Sequence, residues 1–400
     1  MSCFALPRFP YLLKPNDIRP NGLHGTRDDP CVSESLRSFL DATKEHIEVD
    51  VNLWDTYKRY TNPYEYVHTV VPGTKSSVCK MSTVSRAFFK FHEILIDHSL
   101  LEGLEHRSLR SFHLAEGPGG FMEAIVRART KIGHDADSVI GMTLIDDKNS
   151  SVPGWGKLES FVKTNPGIKL EFGKSGTGDL LDPENLRHCF ENYRGSIDVV
   201  TGDGGFDFSG DYNNQEGQSL SLSLAQVFYA VALQRKGGCF VLKIFDMFSK
   251  LSVEIAVLLS SLYREVYITK PLTSRQANSE RYFVCKGFRV LDTSVYTQTF
   301  YTILAQMRSI HSTPQSILDL QISRLFKDKI YDINATLGQQ QIENIKTTLE
   351  VMRTRDPAQL ETLRKNGIHR CVAYCQKYDL LHSRTHPGQN IFLPKTSSTI

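Results

Sequence analysis

No apolar run in this 400-residue sequence is long enough to span a bilayer. The most apolar stretch, Leu224 to Leu233, is about half the ~20 residues a membrane helix requires. Met1 to Leu13 lacks a basic start followed by a long apolar core, which predicts that no signal peptide is present. Neither sign of charge dominates. Lys and Arg number 47 against 44 Asp and Glu, and a net charge of +3 does not by itself point to a polyanionic partner. The eight cysteines (3, 31, 79, 189, 239, 285, 371 and 375) form no framework. A chain of this length needs no disulfide staples, so reduced thiols in a soluble, intracellular protein are expected, with no membrane partner. No metal is expected either, because Cys371, Cys375 and His369 have no second Cys or His pair at zinc spacing. One local absence says more. No Asp or Glu occurs from Tyr66 to His92, whereas Lys75, Lys80, Arg86 and Lys90 all fall inside that window. Such a run is either a solvated face or an edge turned toward a polyanion.

Apolar spacing predicts helices over 33–47 and 82–101, after an irregular stretch at 1–30 that is rich in Pro, Asn, Gly and Asp. Strand-like runs at 111–115, 138–144, 169–172, 197–202, 238–245, 265–269 and 281–285 then alternate with helical ones at 121–130, 154–163, 182–191, 215–234 and 249–262. That alternation predicts an α/β fold with a doubly wound, mostly parallel sheet and helices on both faces. From 298 onward the pattern is mainly helical (317–325, 339–353 and 357–378), and a tail at 383–400 carries Pro and Ser clusters. The expected organisation is an N-terminal extension over 1–79, a central domain over 80–297, a helical C-terminal lobe over 298–382 and a flexible tail over 383–400.

In such folds ligands sit beyond the carboxyl ends of the strands. Three features fall there. His113-Leu-Ala-Glu-Gly-Pro-Gly-Gly-Phe121 joins the first of those strands to a helix through glycines 117, 119 and 120, which misses the G-x-G-x-x-G spacing of a pyrophosphate cradle. Asp203 ends a strand in Val-Thr-Gly-Asp-Gly-Gly. Lys243 lies inside the apolar strand Gly-Cys-Phe-Val-Leu-Lys-Ile-Phe, where an ammonium needs a partner because its desolvation is costly. Asp203 and Glu280, in Ser274-Arg-Gln-Ala-Asn-Ser-Glu280, can supply one. Lys90, in Ser85-Arg-Ala-Phe-Phe-Lys90, lies on the helix before the loop.

Lys90, Asp203, Lys243 and Glu280, in that order and those contexts, resemble the Lys–Asp–Lys–Glu tetrad of the FtsJ-type (RrmJ-like) S-adenosylmethionine-dependent RNA ribose 2′-O-methyltransferases over roughly residues 80–290. Within the family the sequence is most similar to the Adrift-type mRNA cap methyltransferases of eukaryotes and large DNA viruses. The resemblance implies a Rossmann-like methyltransferase fold with a seven-stranded sheet. It implies S-adenosylmethionine as methyl donor, RNA as partner (capped mRNA in the leading reading) and methylation of a cap-proximal ribose 2′-hydroxyl. Lys243 would act as general base or hold the developing alkoxide, Lys90 would position the hydroxyl, and Asp203 and Glu280 would orient the lysines. Gly117, Pro118, Gly119, Gly120 and Phe121 would hold the donor, with Asp203 beside it, Asp179 at the adenine amine and Thr143 or Asp146 at its ribose. Trp54, Tyr57, Tyr60, Tyr64 and Tyr66 are candidates for stacking on a cap guanine or are packing residues. Lys75 and Lys80 would flank the RNA channel. The alternatives are the same reaction on ribosomal or transfer RNA, or a silent RNA-binding scaffold. Nucleus, cytoplasm or a viral factory, and a capping or transcription partner, fit the same resemblance.

Overall fold

The computed structural model describes residues 2–22, 32–48, 50–134, 136–146, 148–149, 152–205 and 213–382. The expected tail at 383–400 and Cys31 lie outside the described residues. The strands are β1 Ser2–Ala5, β2 Ile18–Asn21, β3 Arg110–Leu114, β4 Ser138–Met142, β5 Ile168–Glu171, β6 Ile197–Gly202, β7 Gln234–Phe245, β8 Tyr263–Lys270, β9 Glu280–Phe288 and β10 Ser316–Leu318. The helices are α1 Glu34–Glu48, α2 Val51–Thr61, α3 Ala87–Asp97, α4 Gly120–Lys131, α5 Glu159–Thr164, α6 Pro183–Tyr193, α7 Gln215–Leu233, α8 Lys250–Leu262, α9 Ser294–Ile310, α10 Arg324–Thr354 and α11 Pro357–Lys377.

The main sheet runs in the order β1-β8-β9-β7-β6-β3-β4-β5. Strands β7, β6, β3, β4 and β5 are parallel neighbours, and β9 is antiparallel to both β7 and β8. The chain winds from β3 outward through β4 and β5, then returns to place β6 on the other side of β3. The carboxyl ends of β3 and β6 therefore flank the switch point where open α/β sheets bind ligands. Period-two alternation gives the sheet two apolar faces. Phe240, Leu242 and Ile244 of β7, with Phe283 and Cys285 of β9, join the core shared with α7 and α8. Val241, Tyr282 and Val284 join the opposite core, where Phe88, Phe89 and Phe91 of α3 and Phe121 of α4 pack. Buried on nearly all sides, α7 has lost its polar face; its Phe228 stacks on Phe300 of α9 with ring centroids 4.1 Å apart.

The structure departs from the expected elements at the chain's flanks. Ser2–Ala5, in the stretch expected to be irregular, is a strand that pairs antiparallel with the edge of β8 from Ser2↔Lys270 to Ala5↔Tyr267, so the sheet has eight strands rather than seven. Residues 317–323 are not helical; only the last two residues of the expected helix, Arg324 and Leu325, fall in one, at the start of α10. Ser316–Leu318 is a strand paired with β2, and buried Glu254 accepts hydrogen bonds from the amides of Ile317 (2.6 Å) and Leu318 (3.1 Å), satisfying them outside any helix. Helix α3 starts at Ala87 rather than Ser82, because Glu123 accepts from the Val84 amide at 2.7 Å and holds the preceding segment extended. Helix α2, which the spacing left undetected, is capped by Asp50, whose carboxylate accepts from the Leu53 amide at 2.9 Å. The helix expected at 339–353 begins at Arg324, where Ser323 caps it.

Candidate active site

Three adjacent strands and one helix bring four charged side chains together. In the β7–β9 ladder Lys243 lies opposite Tyr282 and Phe245 opposite Glu280, so Lys243, Tyr282 and Glu280 project from one face of the sheet. Gly202 of β6 lies opposite Leu242 of β7, which sets Asp203 beside Lys243. Lys90 comes from α3 on that same face. Its Nζ lies 2.7 Å from both carboxylate oxygens of Glu280, and each residue is about 5% exposed. Lys243 Nζ donates to the Asp203 carbonyl at 2.7 Å and lies 3.3 Å from its Oδ1. The Tyr282 hydroxyl donates to the same Oδ1 at 3.1 Å. Burial pushes the Lys90 ammonium below its ordinary range, with Glu280 pulling it back up and Arg86 and Lys243 adding to the depression. Burial also raises the Glu280 carboxyl, but Lys90, Lys243 and Arg86 outweigh it and hold that carboxyl well below the usual range. The four groups thus form one electrostatic unit.

The loop from β8 to β9, which delivers Glu280, is tied down at almost every residue. Buried Glu93 of α3, one turn past Lys90, accepts from the amides of Leu272 (2.7 Å) and Thr273 (2.9 Å). Arg275 forms a bidentate pair with buried Glu65 through Nε (2.9 Å) and Nη2 (2.6 Å). Ser274 donates to Glu280 Oε1 at 2.8 Å. Lys270, at the end of β8, donates to the carbonyls of Asn278 and Glu280. Burial brings the Lys270 ammonium down to about 7 against the pull of Glu280. Sequence reasoning passed over Tyr282, Glu93, Glu65 and Lys270. A lysine inside an apolar strand is the signal that marks Lys243; Lys270 ends a strand that also carries Arg264 and Glu265, so the same signal is absent.

Beside Asp203 and Lys243 lies an open cavity of about 1270 Å³. Small-molecule sites run to roughly 300–1,000 Å³, and the space in this cavity that a water-sized molecule can reach, about 470 Å³, falls within that range. Ala115, Gly117, Thr143 and Asp179 line it together with the apolar side chains of Leu144, Leu180 and Leu222. Two acids (Asp203 and Asp179) among apolar walls suit a cationic, aromatic-bearing ligand such as S-adenosylmethionine. Of the residues the resemblance assigned to the donor, Gly117, Thr143, Asp179 and Asp203 line this cavity. Thr143 Oγ1 accepts from the Gly117 amide at 3.2 Å. Asp146 instead accepts from the Lys148 amide in its own turn. Pro118 follows a cis peptide bond. Gly119, at φ +99°, packs where a Cβ would meet Leu158, and a Cβ on Gly120 would run into Ser85 and the Phe88 amide. Phe121 is buried and stacks on Phe91 at 4.5 Å. Gly120 and Phe121 thus fix α4 against α3, and through α3 they fix the position of Lys90.

A second cavity, of about 750 Å³, lies on the other side of the Glu280 loop. Trp54 and Lys58 of α2, Lys44 of α1, Arg275 and Asn278 of the loop and Gln341 of α10 line it. Of the five aromatic candidates, Trp54 faces this cavity. Tyr66 is buried against Gly367, Tyr64 packs on Tyr374 at 5.9 Å, and Tyr57 and Tyr60 lean on each other at 6.4 Å. Lys75 and Lys80 are exposed. Among the described residues no group of His, Cys, Asp or Glu could hold a metal, and no helix is long and apolar enough to cross a membrane.

Known proteins share this sequence pattern. The family of FtsJ-like methyltransferases matches residues 83–288, which include all four charged side chains. Cap-specific mRNA (nucleoside-2′-O-)-methyltransferase 1 of Mus musculus is 31% identical over 307 residues, covering 73% of this chain and 35% of the relative. The Homo sapiens protein of the same description matches at the same identity and coverage. Cap-specific mRNA (nucleoside-2′-O-)-methyltransferase 2 of Danio rerio is 31% identical over 271 residues, 65% of this chain and 36% of the relative. The chain therefore spans about a third of the length of the curated relatives it matches.

Proposed function

Because this chain belongs to the FtsJ-like methyltransferase family, we propose that it is a cap-specific mRNA 2′-O-methyltransferase using S-adenosylmethionine. The observation that carries the reading is the unit of Lys90, Asp203, Lys243 and Glu280, with Lys243 and Asp203 on the wall of the larger cavity. When bound there, S-adenosylmethionine supplies an electrophilic methyl group on a sulfonium. The chain's own residues then have to hold a ribose hydroxyl in line with that methyl and take its proton.

In its amine form Lys243 has two N–H bonds and one lone pair. The Asp203 carbonyl takes one of the N–H bonds, and the lone pair is what a hydroxyl in the cavity would meet. Lys243 would take the hydroxyl proton as the ribose oxygen bonds to the methyl carbon that the donor's sulfonium would release. The Asp203 carboxylate steadies the resulting ammonium. Lys90, clamped by Glu280, presents a fixed positive charge to the oxygen as negative charge develops there. Much of the acceleration comes from positioning, since nucleophile and methyl must meet at near-attack distance. Gly117 would hold the methionine side of the donor, Thr143 its ribose and Asp179 the adenine amine.

The second cavity supports the cap reading over ribosomal or transfer RNA. Trp54, two lysines and carboxamides line it, a set that suits a purine base joined to phosphates. Its place beside the Glu280 loop suits a base joined to the target ribose through a bridge of phosphates. Tritiated S-adenosylmethionine offered with capped and uncapped short RNA, followed by nuclease mapping, tests the proposal. Label at a cap-proximal 2′-oxygen on capped RNA alone is expected. Label confined to uncapped RNA would overturn the cap reading, and donor binding without transfer to any RNA would favour a scaffold.

A further inference from the structure

We propose that Lys270 is a positioning residue of this site: it fixes the backbone on which Glu280 stands and, through Glu280, the place of Lys90. The inference rests on the proposed methyl transfer for its functional meaning and on geometry for its structural one.

Lys270 is the last residue of β8 and is 8% exposed. Its Nζ lies 2.6 Å from the Asn278 carbonyl, 3.1 Å from Asn278 Oδ1 and 2.9 Å from the Glu280 carbonyl. These are three acceptors for the three N–H bonds of an ammonium, so its donors are fully used. The contacts close the base of the loop, from the residue before Pro271 to the two that frame Ser279. Lys270 lines neither of the two cavities described above. Its route to the chemistry runs through Glu280, whose carbonyl it holds and whose carboxylate holds Lys90 at 2.7 Å. A buried lysine is costly to desolvate, and an apolar residue could have ended β8 without that penalty. What Lys270 adds is a fixed origin for the Glu280 side chain. Displacing such a group by a fraction of an ångström is enough to impair a site that depends on alignment.

The test compares Lys270→Met and Lys270→Gln with the wild-type chain, each shown to be folded by circular dichroism at the assay temperature. One arm measures kcat and KM for methyl transfer to capped RNA and the affinity for S-adenosylmethionine. The other measures the rate at which dilute acetic anhydride acetylates Lys90, read by mass spectrometry without RNA. In Lys270→Met we expect kcat to fall about tenfold or more, with donor affinity within about threefold of wild type. We also expect Lys90 to be acetylated several-fold faster as Glu280 leaves it. Lys270→Gln, which can still donate to two of the acceptors, should lie between the two on both measures. A folded Lys270→Met with kcat within twofold of wild type and unchanged Lys90 acetylation would overturn the proposal. The labelling arm reads the Lys90–Glu280 contact without RNA, so its outcome is separable from failure of the proposed reaction.

Discussion

At the scale of single residues, the Lys90–Glu280 pair serves the site better than it serves stability. Burying two charges carries a desolvation penalty that their attraction roughly offsets, whereas removing one partner strands the other. Glu280→Gln should therefore lower unfolding free energy by about 3–5 kcal/mol and reduce the melting temperature. The double variant Lys90→Met/Glu280→Leu should recover most of that stability yet transfer no methyl. Denaturant unfolding with parallel activity assays checks both. A double variant as unstable as Glu280→Gln would mean the pair supports the fold in its own right. Lys90, Asp203, Lys243 and Glu280 were all legible in the sequence, because each stands at a strand end, in an apolar strand or in a distinctive local motif. Tyr282 and Glu93 were not, since a tyrosine in a strand and a glutamate in a helix are common and only tertiary pairing distinguishes them.

Among the elements, the β8–β9 loop carries the most constraint. Burial raises the Glu65 carboxyl, but its hydrogen bonds to Arg275 and that residue's charge outweigh this and bring it to about 2. A carboxyl depressed on folding contributes stability that is fully present above its unfolded pKa of about 4.5 and is lost as pH falls toward 2. The size of the depression corresponds to roughly 3 kcal/mol at neutral pH. Glu65→Gln should therefore be less stable than wild type at pH 7, and the gap should narrow as pH drops below about 4.5. Urea titrations across that range measure it, and a gap independent of pH would contradict the assignment. The alternating elements from β3 to β9 were legible because their apolar runs are long and cleanly punctuated. β1 was not, because four residues carry too little pattern and its partner β8 lies more than 250 residues away. β10 was misread as helix for a related reason. Its amides are satisfied by Glu254, a partner that local sequence does not reveal.

Across the whole molecule, the segments flanking the family match share a core with it. Phe326, Ile330, Ile333 and Leu337 of α10, together with Leu13 and Ile18 near the N-terminus, belong to the same buried cluster as Phe240 and Leu258. Arg281, next to Glu280, reaches Asn334 of α10 at 3.0 Å. We therefore propose that the C-terminal helices fold with the methyltransferase region rather than as a separate lobe. A chain ending at residue 320 should be largely insoluble, and size-exclusion chromatography would show it. A monodisperse truncated chain that still binds S-adenosylmethionine would contradict this.

The central claim is that Lys243 accepts the ribose proton while other residues hold the methyl donor. Single-turnover methyl transfer to capped RNA by Lys243→Ala, measured beside calorimetric binding of S-adenosylmethionine, tests it most directly. Transfer should fall by at least about a thousandfold, with donor affinity within a few-fold of wild type. Transfer within tenfold of wild type, or loss of donor binding in proportion to loss of transfer, would contradict the role assigned to Lys243.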